Sequence, residues 1–265
     1  YISPEPSMIE AFEHGIDVHA KTASLIFNKP IEEIGDDETK PCSFGTGKKT
    51  ERYWGKQSDH AFNYDMGPIL FARKHGVRVS DSKFLIARYH SAYPGIRRMH
   101  LWVREEMNRN NQTLINPYGR RRKFMGRPGD TMYRQGYNFI PQSTVADKIN
   151  IDGLIHIYYN QDIYQNVQLL NQVHDSIVLQ IPISIPFLEH AEILAHIRDS
   201  LETKIDWRGR SFTIPLDARV GFNLARWHVD SNPNGMIDVK ISNNISIDSI
   251  KHNLMDAYEI LKHAA

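Results

Sequence analysis

Apolar residues in the first part of the chain recur at helical spacing, which is the pattern of amphipathic helices. The pattern predicts helices over residues 7–12, 17–27, 52–65, 69–74, 81–93 and 96–110. Asp17 stands where an N-cap is expected, and Asn28 with Pro30 ends the helix that it begins. Residues 32–49 are polar and rich in Gly and Asp, which predicts a loop before the helix that contains Arg52.

The second part of the chain alternates between helical and strand-like periods. It predicts, in order, a strand-turn-strand element over 113–125, a helix from 133 toward Tyr159, strands over 167–173 and 177–181, a helix from Pro186 to Leu201, a strand over 212–220, a turn at 232–235 and a last helix over 249–263. Pro141 is expected to kink or end the first of these helices.

Composition sets few limits on function. A chain of 265 residues makes one large or two modest domains, and 41% hydrophobic residues is an ordinary share. The net charge of +1 does not by itself indicate nucleic acid, although basic residues cluster at 48–49, 97–98 and 120–123. The single cysteine, Cys42, excludes an internal disulfide and a thiolate metal cluster, which fits a reducing compartment.

The sequence gives no sign of a membrane partner. The nearest candidate for a membrane span, 177–188, is interrupted by Gln180, Pro182 and Pro186, and the N-terminus lacks the profile of a signal peptide. The chain also lacks an initiator methionine, which predicts a processed chain or part of a longer one. Residues 45–49 contain glycines and lysines without the spacing of a P-loop, so that motif is rejected.

The stretch 52–65 carries polar side chains at four-residue intervals, which places them along one stripe of a helix. These residues are Arg52, Lys56, His60 and Tyr64, whereas Trp54, Ala61 and Phe62 fall largely on the opposite side. Two cations, an imidazole and a phenol suit a triphosphate with a base stacked beyond it. A solvated basic helix face is the alternative for a Lys and Arg pair at this spacing.

Two further helical segments carry candidate ligand-binding residues. His19 lies in the first turn of its predicted helix, where backbone N–H groups and the helix dipole favour an anion; a capping or core histidine is the alternative. Arg134, Asn138 and Gln142 repeat at four-residue intervals and form a polar ridge that can reach minor-groove acceptors and sugar oxygens. An exposed polar helix face would show the same pattern.

The two predicted hairpins place charged residues at exposed turns. The hairpin over 113–125 turns at 117–119 and leads into the basic run that begins with Arg120 and Arg121, which suits contact with a nucleic-acid backbone. The later hairpin carries Asp175 at its tip, a suitable position for a hard divalent metal ion. A turn aspartate also serves as an acceptor for backbone N–H groups, and that reading stays open.

These motifs resemble those of family A DNA polymerases, the bacterial polymerase I class, over about residues 7–223. The resemblance is carried by the Arg-xxx-Lys-xxx-aromatic-xxx-Tyr pattern at 52–64, the segment Asp-Val-His-xx-Thr-Ala at 17–23, which resembles the family's Asp-Ile-His-xx-Thr-Ala, and by Tyr-Pro-Gly at 93–95, Gly-Arg-Arg at 119–121, Arg-xxx-Asn-xxx-Gln at 134–142 and Gln-Val-His-Asp at 172–175. Any one motif alone is weak evidence, but together they follow the order of the family.

The resemblance implies a role for each motif. Arg52, Lys56 and His19 would hold the phosphates of the incoming dNTP, with Lys56 also donating a proton to departing pyrophosphate, while His60 and Tyr64 would pack against sugar and base. Asp175 would be a catalytic carboxylate for two Mg²⁺ ions, with Mn²⁺ as a substitute. The residues implied for primer-template DNA are Arg134, Asn138, Gln142, His174, Arg120 and Arg121.

Three positions depart from the family pattern. His60 replaces the usual Phe or Tyr, and Asp65 stands where the family usually has Gly, so sugar discrimination and fidelity do not follow from the resemblance. Ser176 replaces the usual Glu that assists the catalytic Asp. This replacement predicts lower metal affinity or rate and leaves loss of catalysis open.

The resemblance implies an α+β fold of right-hand polymerase architecture, with mostly helical fingers and a palm whose antiparallel sheet carries the catalytic hairpin. Residues 1–132 would be fingers, 133–230 the C-terminal half of the palm, and 231–265 a tail without a family counterpart that packs on the palm or binds a partner. The second carboxylate and the thumb are expected upstream of residue 1. We therefore expect primer extension only when this N-terminal polymerase segment, in the same chain or as a separate subunit, is added.

The implied function is template-directed DNA synthesis in the cytoplasm of a bacterial or phage-infected cell, or in an organelle matrix. The competing hypothesis is a DNA-binding replication accessory protein that descends from a polymerase, with His60 and Ser176 as marks of weakened catalysis. A further alternative is synthesis or copying of RNA, because His60 lies where the family makes part of its sugar choice.

Overall fold

A computed structural model of the protein describes residues 1–37, 39–242 and 244–262. The chain forms two compact units, Tyr1–Gln142 and Ser143–Ala265. Neither unit, over its described residues, contains a helix with the length and hydrophobicity needed to cross a membrane. The division into 1–132, 133–230 and 231–265 stays a prediction about functional domains.

The first unit is built almost wholly from helices. Its elements are α1 (Pro6–Glu13), α2 (Val18–Phe27), a 3₁₀ turn (Ile31–Glu33), α3 (Glu51–Phe62), α4 (Pro68–His75), α5 (Val79–Ala92), α6 (Pro94–Arg109), the hairpin of β1 (Thr113–Ile115) and β2 (Arg121–Lys123), and the start of α7 (Asp130–Lys148). Each helix expected from the apolar pattern is present. The helix that contains Arg52 ends earlier than predicted, because Asp65 has a left-handed φ of 59° that a helix cannot accommodate.

Large side chains fill the interior of the first unit. Trp54 and Phe62 enter it from α3 and pack with residues of α4 and α5, including Phe71 and Leu85. Tyr89 is fully buried, and its hydroxyl donates a hydrogen bond to the side chain of Asn63. The buried side of α3 therefore anchors the helix, and its other side remains available for polar residues.

A glycine permits the close packing of α2 on α3. A Cβ atom at Gly55 would lie 2.2 Å from the carbonyl oxygen of His19 and 2.9 Å from the backbone nitrogen of Ala23. No side chain fits in that space, so only glycine allows the two backbones to approach this closely. The approach brings the first turn of α2 next to the last turns of α3.

The long helix α7 excludes one of the two outcomes expected at Pro141. It continues through Pro141 rather than ending there, and the boundary between the two units falls within it. The helical path then passes through a π-helix (Ile149–Ile155) into α8 (His156–Tyr159), which confirms the expected extent toward Tyr159. Proline removes one backbone donor, but the remainder of a long helix can sustain that loss.

The second unit combines helices with short antiparallel hairpins. After α8 it contains α9 (Gln161–Tyr164), β3 (Gln168–Val173), β4 (Ser176–Gln180), α10 (Phe187–Leu201), β5 (Ile205–Trp207), β6 (Arg210–Phe212), β7 (Ala218–Val220), β8 (Ile237–Val239) and α11 (Ile247–Lys262). Among the described residues, every sheet is an antiparallel pair: β1 with β2, β3 with β4, β5 with β6, and β7 with β8. These elements confirm the expected α+β class.

The predicted strand over 212–220 is wrong. Its ends belong to two hairpins, because β6 pairs with β5 and β7 pairs with β8. Pro215 lies between them and cannot donate to a strand ladder. The partners β5 and β8 span three residues each, which is too short for an alternating pattern to predict.

The C-terminal tail packs within the second unit. Ile250 and Leu254 of α11 join Ala191 and Ala195 of α10 and Val239 of β8 in one buried cluster. The tail therefore packs on α10 of its own unit, and whether that surface belongs to a palm stays a prediction. The predicted end of the last helix, His263, lies outside the described residues.

Candidate functional site

Three of the four predicted polar residues, Arg52, Lys56 and His60, lie on helix α3. Thr50 caps its N-terminus by accepting a hydrogen bond from the backbone N–H of Tyr53 at 3.1 Å. Lys56 and His60 are exposed on the helix, whereas Tyr64 follows it in a turn. Burial raises the pKa of the Tyr64 phenol, which therefore stays protonated near neutral pH.

A basic cavity lies at the start of α3. Its volume is about 200 Å³, and its lining residues are Asp36, Lys48, Lys49, Thr50, Arg52, Tyr53 and Lys56. Four of these side chains are cationic, and the single carboxylate of the lining belongs to Asp36. We name this feature the basic cavity. Its charge and the capped helix N-terminus both favour an anion.

Lys48 and Lys49 join the cavity although sequence analysis gave them no role in a site. The loop before α3 folds back so that the backbone N–H of Cys42 donates to the carbonyl of Lys49 at 2.9 Å. The ammonium of Lys49 lies 5.0 Å from the ring centre of Tyr53, a cation–π contact that holds it beside α3. The signal in the sequence was the basic pair itself, next to a helix start.

Arg52 has two carboxylate partners. Its Nε donates to Asp17 at 2.7 Å, and its Nη1 donates to Asp36 at 2.9 Å. Burial acts to raise the pKa of Asp17, but the hydrogen bonds from Arg52 and from the α2 backbone bring it below its ordinary value. A guanidinium has five N–H donors, so donors on Nη2 remain for a ligand.

Lys56 stands apart from these ion pairs. Within the described residues its ammonium forms no hydrogen bond or salt bridge, and it is exposed at the edge of the basic cavity. An unpaired ammonium offers three donors to an anionic ligand. Lys56 can therefore bind a phosphate without breaking an existing hydrogen bond or ion pair, unlike Arg52 and His19.

His19 lies against α3 through a buried carboxylate that sequence analysis missed. The Nδ1 of His19 is 2.8 Å from Oδ2 of Asp59, whose side chain is nearly inaccessible to solvent. Thr22 donates to the other oxygen of Asp59 at 2.9 Å, and Tyr93 donates to Thr22 at 2.9 Å. The signal for Asp59 was a charged residue on the apolar side of α3.

The two histidines of the predicted site lie close to each other. The ring centres of His19 and His60 are 5.6 Å apart. Burial lowers the pKa of His60, and the charges of His19, Lys56 and Lys74 lower it further, whereas Asp59 raises it. His60 is therefore predominantly neutral near pH 7.

Asp65 connects the end of α3 to two other helices. Its carboxylate accepts a hydrogen bond from Arg97 of α6 at 2.7 Å, and its backbone carbonyl accepts one from Nε of Arg134 on α7 at 2.9 Å. The predicted DNA-binding residue Arg134 is thus held beside the turn that carries Tyr64. The left-handed φ at Asp65 also explains why glycine suits this position.

The other members of the polar ridge follow Arg134 along α7. Asn138 donates from its amide nitrogen to the carbonyl of Arg134 at 2.9 Å, and Gln142 is exposed. Because α7 is continuous through Pro141, the three side chains keep their helical spacing. The ridge therefore exists as a surface of the first unit up to its boundary.

The β1–β2 hairpin presents a basic edge. Asn116 accepts hydrogen bonds from the backbone N–H groups of Tyr118 and Arg120 at 3.0 and 2.9 Å, which fixes the turn. Arg120 and Arg121 are exposed, whereas Arg122 lies 4.7 Å from the ring centre of Phe124. The predicted pair thus faces solvent on a defined turn.

The hairpin of the second unit carries Asp175 as predicted. Val173 pairs with Ser176 across a turn made by His174 and Asp175, and His174 has a left-handed φ of 55°. All four of these residues are exposed. Ser176 donates its hydroxyl to the carbonyl of Val173 at 2.8 Å.

A glycine also allows the close approach of this hairpin to the π-helix. A Cβ atom at Gly153 would lie 2.6 Å from the terminal methyl of Ile177 and 3.1 Å from Leu201. Ile177 follows Ser176 directly, so this contact anchors the start of β4. The base of the β3–β4 hairpin is therefore packed, and its tip is an exposed turn.

Asp175 is suited to a metal but does not make a complete site. Its carboxylate has no hydrogen bond or ion pair within the described residues, and carboxylate oxygen is the ligand that Mg²⁺ prefers. Among residues 1–37, 39–242 and 244–262, no group of three or more His, Cys, Asp or Glu side chains is arranged to hold a metal ion. Asp175 thus fits as one ligand among others.

Comparisons with known proteins agree in their result. The family model for DNA polymerase family A matches residues 1–229. The chain is 27% identical over 218 residues to DNA polymerase I of Lactococcus lactis subsp. cremoris, covering 78% of this chain and 22% of the relative. It is 29% identical over 182 residues to the DNA polymerase of Mycobacterium phage D29, covering 68% of this chain and 26% of the relative.

A further relative and a solved structure extend the result. DNA polymerase I of Thermus aquaticus is 22% identical over 229 residues, covering 83% of this chain and 24% of the relative. The POL domain of Pol1 from M. smegmatis, in complex with DNA primer-template and dNTP, has a similar fold with a TM-score of 0.62 at 21% identity, covering 76% of this chain and 33% of that one. The chain thus spans about a quarter of the length of its curated relatives.

Proposed function

The chain belongs to DNA polymerase family A, and on that premise we propose that it serves template-directed DNA synthesis from dNTPs on a primer 3′-hydroxyl. In this proposal the chain supplies the fingers and part of the palm, and a further polymerase segment supplies the rest of the active site. The relatives come from bacteria and a bacteriophage, which supports the cytoplasm of a bacterial or phage-infected cell as the place of action.

One observation carries the proposal: the basic cavity opens beside Lys56. Lys48, Lys49 and Arg52 complete a cationic lining at the start of a helix. A nucleoside triphosphate carries its negative charge on adjacent phosphates, so a row of ammonium and guanidinium groups matches it better than it matches a neutral ligand. The phosphates are the part of a dNTP that this surface recognises.

The residues around the cavity divide the work of nucleotide binding. Arg52 and His19 hold and orient phosphates, and Lys56 both binds them and donates the proton that the leaving pyrophosphate takes up. Tyr64 and His60 pack against base and sugar. The predominantly neutral ring of His60 suits that apolar contact and spares the site an additional positive charge.

Asp175 contributes to the metal side of the reaction. When bound, a pair of Mg²⁺ ions, for which Mn²⁺ can substitute, lowers the pKa of the primer hydroxyl and stabilises the charge of the in-line displacement. Asp175 holds its carboxylate outward on a short turn, free to be a ligand. Ser176 offers a hydroxyl that is already donated to the strand, so it adds little to metal binding.

The DNA contacts of the proposal lie on three elements of the chain. Arg134, Asn138 and Gln142 reach sugar oxygens and minor-groove acceptors of primer and template from one side of α7. Arg120 and Arg121 contact backbone phosphates from the β1–β2 hairpin, and His174 contacts the primer beside Asp175. A solved relative with primer-template DNA and dNTP supports these partners.

The test is template-dependent incorporation by the complete protein that contains this chain. We expect Asp175→Ala and Lys56→Ala each to abolish extension while duplex binding persists. The 265-residue chain by itself is expected to bind dNTP without extending a primer, and addition of the N-terminal polymerase segment is expected to restore extension. If the chain alone extends a primer with Mg²⁺, the assignment of a missing carboxylate is wrong.

Ser176 favours a second candidate function. A hairpin with one metal-binding carboxylate suits a polymerase-derived protein that binds DNA as a replication accessory and has weakened catalysis. In that case Asp175→Ala and Lys56→Ala leave its behaviour unchanged. Comparing dNTP with rNTP in the same assay tests the third alternative, RNA synthesis, for which His60 is the motive.

A further inference from the structure

Asp59 is a buried carboxylate for which the proposed reaction has no use. Its side chain is 7% exposed although it lies on the helix that carries Lys56 and His60. Burying a charged group without partners is costly, and Asp59 has partners from two other segments, namely His19 and Thr22 of α2 directly and Tyr93 through Thr22. Such an arrangement is specific enough to serve a purpose beyond packing.

The contact with Asp59 decides which nitrogen of His19 meets a ligand. An ionised carboxylate can only accept hydrogen bonds, so Nδ1 of His19 carries a hydrogen. In the neutral ring the opposite nitrogen, Nε2, then has a lone pair and no hydrogen. Nε2 forms no hydrogen bond within the described residues, and the ring is 28% exposed.

We propose that Asp59 is a positioning residue that makes His19 a phosphate ligand only when its ring is protonated. The carboxylate of Asp59 accepts a hydrogen bond from Nδ1–H of His19, which leaves Nε2 to face the nucleotide. A phosphate oxygen accepts hydrogen bonds, so it can bind Nε2 only after a second proton has been added. The proposal rests on the proposed function, since the phosphate in question is that of the bound dNTP.

Few charged or titratable groups surround His19. The groups that face it are Asp59 and His60 of α3, Asp17 at its own helix start, and Arg52, which is bonded to Asp17. Arg52 keeps its charge at all relevant pH values. His60 is largely neutral near pH 7, so the carboxylate of Asp59 is the nearest compensation for a positive ring.

The proposal predicts that triphosphate affinity falls as pH rises. A protonated ring gives the phosphate a charge-assisted hydrogen bond from Nε2, whereas a neutral ring with its hydrogen on Nδ1 cannot. We expect a fall of about tenfold in dATP affinity between about pH 6 and pH 8.5. Replacing Asp59 by Asn keeps an oxygen for Nδ1–H but removes the negative charge, which moves the fall to lower pH.

The experiment combines calorimetric titration with nitrogen-15 NMR of the histidine rings. Binding of dATP and dAMP is measured across that pH range for the wild type, Asp59→Asn, His19→Gln and Asp81→Asn. Asp81 is a matched control, because it is also buried but pairs with Arg78. His19→Gln identifies the His19 signals and removes the part of the pH dependence that belongs to this ring.

The expected NMR result is a His19 ring protonated at Nδ1 in the neutral state. The expected binding result is a lower midpoint for the fall in affinity in Asp59→Asn, and an unchanged midpoint in Asp81→Asn. A neutral ring protonated at Nε2, or a midpoint shared by Asp59→Asn and the wild type, overturns the proposal. If Asp59→Asn does not fold, the wild-type tautomer and its titration decide alone.

The two proposals fail differently. If Lys56→Ala and Arg52→Ala keep the wild-type affinity for dATP, the basic cavity does not bind the triphosphate and the proposed function loses its main support. If these variants bind weakly but Asp59→Asn behaves as the wild type, only the role of Asp59 is wrong.

Discussion

The basic cavity of the first unit and the Asp175 hairpin of the second unit are built in opposite ways. Around the cavity, several groups have partners within their own unit: Asp59 accepts from Thr22, Arg52 donates to Asp17, and buried aromatic residues anchor α3. Asp175 is an exposed carboxylate on a turn, without a partner within the described residues.

This difference indicates how the proposed reaction divides between the two regions. In the proposal, phosphates are bound by the cations around the cavity, all of which belong to the first unit. Metal binding requires several carboxylates, and Asp175 of the second unit would be one of them. Nucleotide binding and catalysis are therefore expected to respond separately to mutation.

Removing the Asp175 carboxylate is expected to have the largest effect. Asp175→Ala should lower primer extension by the complete protein by about a thousandfold or more, because a metal ligand in such a reaction stabilises several kcal/mol of transition-state charge. Binding of dATP to the chain, measured by calorimetry, should stay unchanged. If Asp175→Ala also weakens dATP binding, the two regions are not independent and the comparison fails.

Adding a side chain at Gly55 is expected to damage the cavity region alone. In Gly55→Ala the new Cβ meets the backbone of α2, so α2 and α3 must separate, at a cost of about 1–3 kcal/mol in the free energy of unfolding. His19 moves with α2, and dATP affinity should fall by up to about tenfold. Urea denaturation and calorimetry measure the two effects.

Gly129→Ala is the matched control for this change. An added Cβ at Gly129 meets no atom within 4 Å, and the φ angle of Gly129 lies outside the left-handed region. Its stability and dATP affinity should equal those of the wild type. Equal stability of Gly55→Ala and Gly129→Ala would contradict the close packing of α2 on α3.

Restoring the usual family residue at position 176 is expected to strengthen the weaker region. Ser176→Glu adds a carboxylate next to Asp175 and should raise metal affinity severalfold, seen as a lower Mg²⁺ concentration for half-maximal extension by the complete protein. Ser176→Gln is a control of similar size without charge. Equal Mg²⁺ requirements in both variants would mean that position 176 does not face the metal.

Most of the helical fold was predictable from sequence, since long amphipathic helices leave a clear period and Asp17 gave its helix a defined start. The strand over 212–220 failed because strands of three residues are decided by tertiary pairing rather than by their own pattern. Pro141 was expected to kink or end its helix, and α7 continues through it.

The site was predictable where residues act through sequence spacing and not where they meet through folding. Lys56 and His60 follow from the four-residue period of α3. Asp59 could not be found in that way, because its partner His19 is distant in sequence and is brought there by the glycine at position 55. Lys48 and Lys49 belong to the same class, since a folded loop places them in the cavity.

The smallest expected effect is on dATP affinity when Lys48 or Lys49 is replaced. It distinguishes the lysines of the cavity lining from a lysine that only adds to the net charge. Lys48→Ala and Lys49→Ala should each weaken dATP binding about two- to fivefold, because a single ion contact at a surface contributes less than about 1 kcal/mol. Binding of dAMP should change less, since the lost contact is with the outer phosphates, and the effect should shrink in high salt. Lys83→Ala removes the same charge from an exposed position on α5 outside the cavity lining and should leave binding unchanged. An equal loss of dATP affinity in Lys83→Ala would mean that net charge, rather than the shape of the basic cavity, attracts the nucleotide. The basic cavity and the Asp175 hairpin would then differ in charge alone.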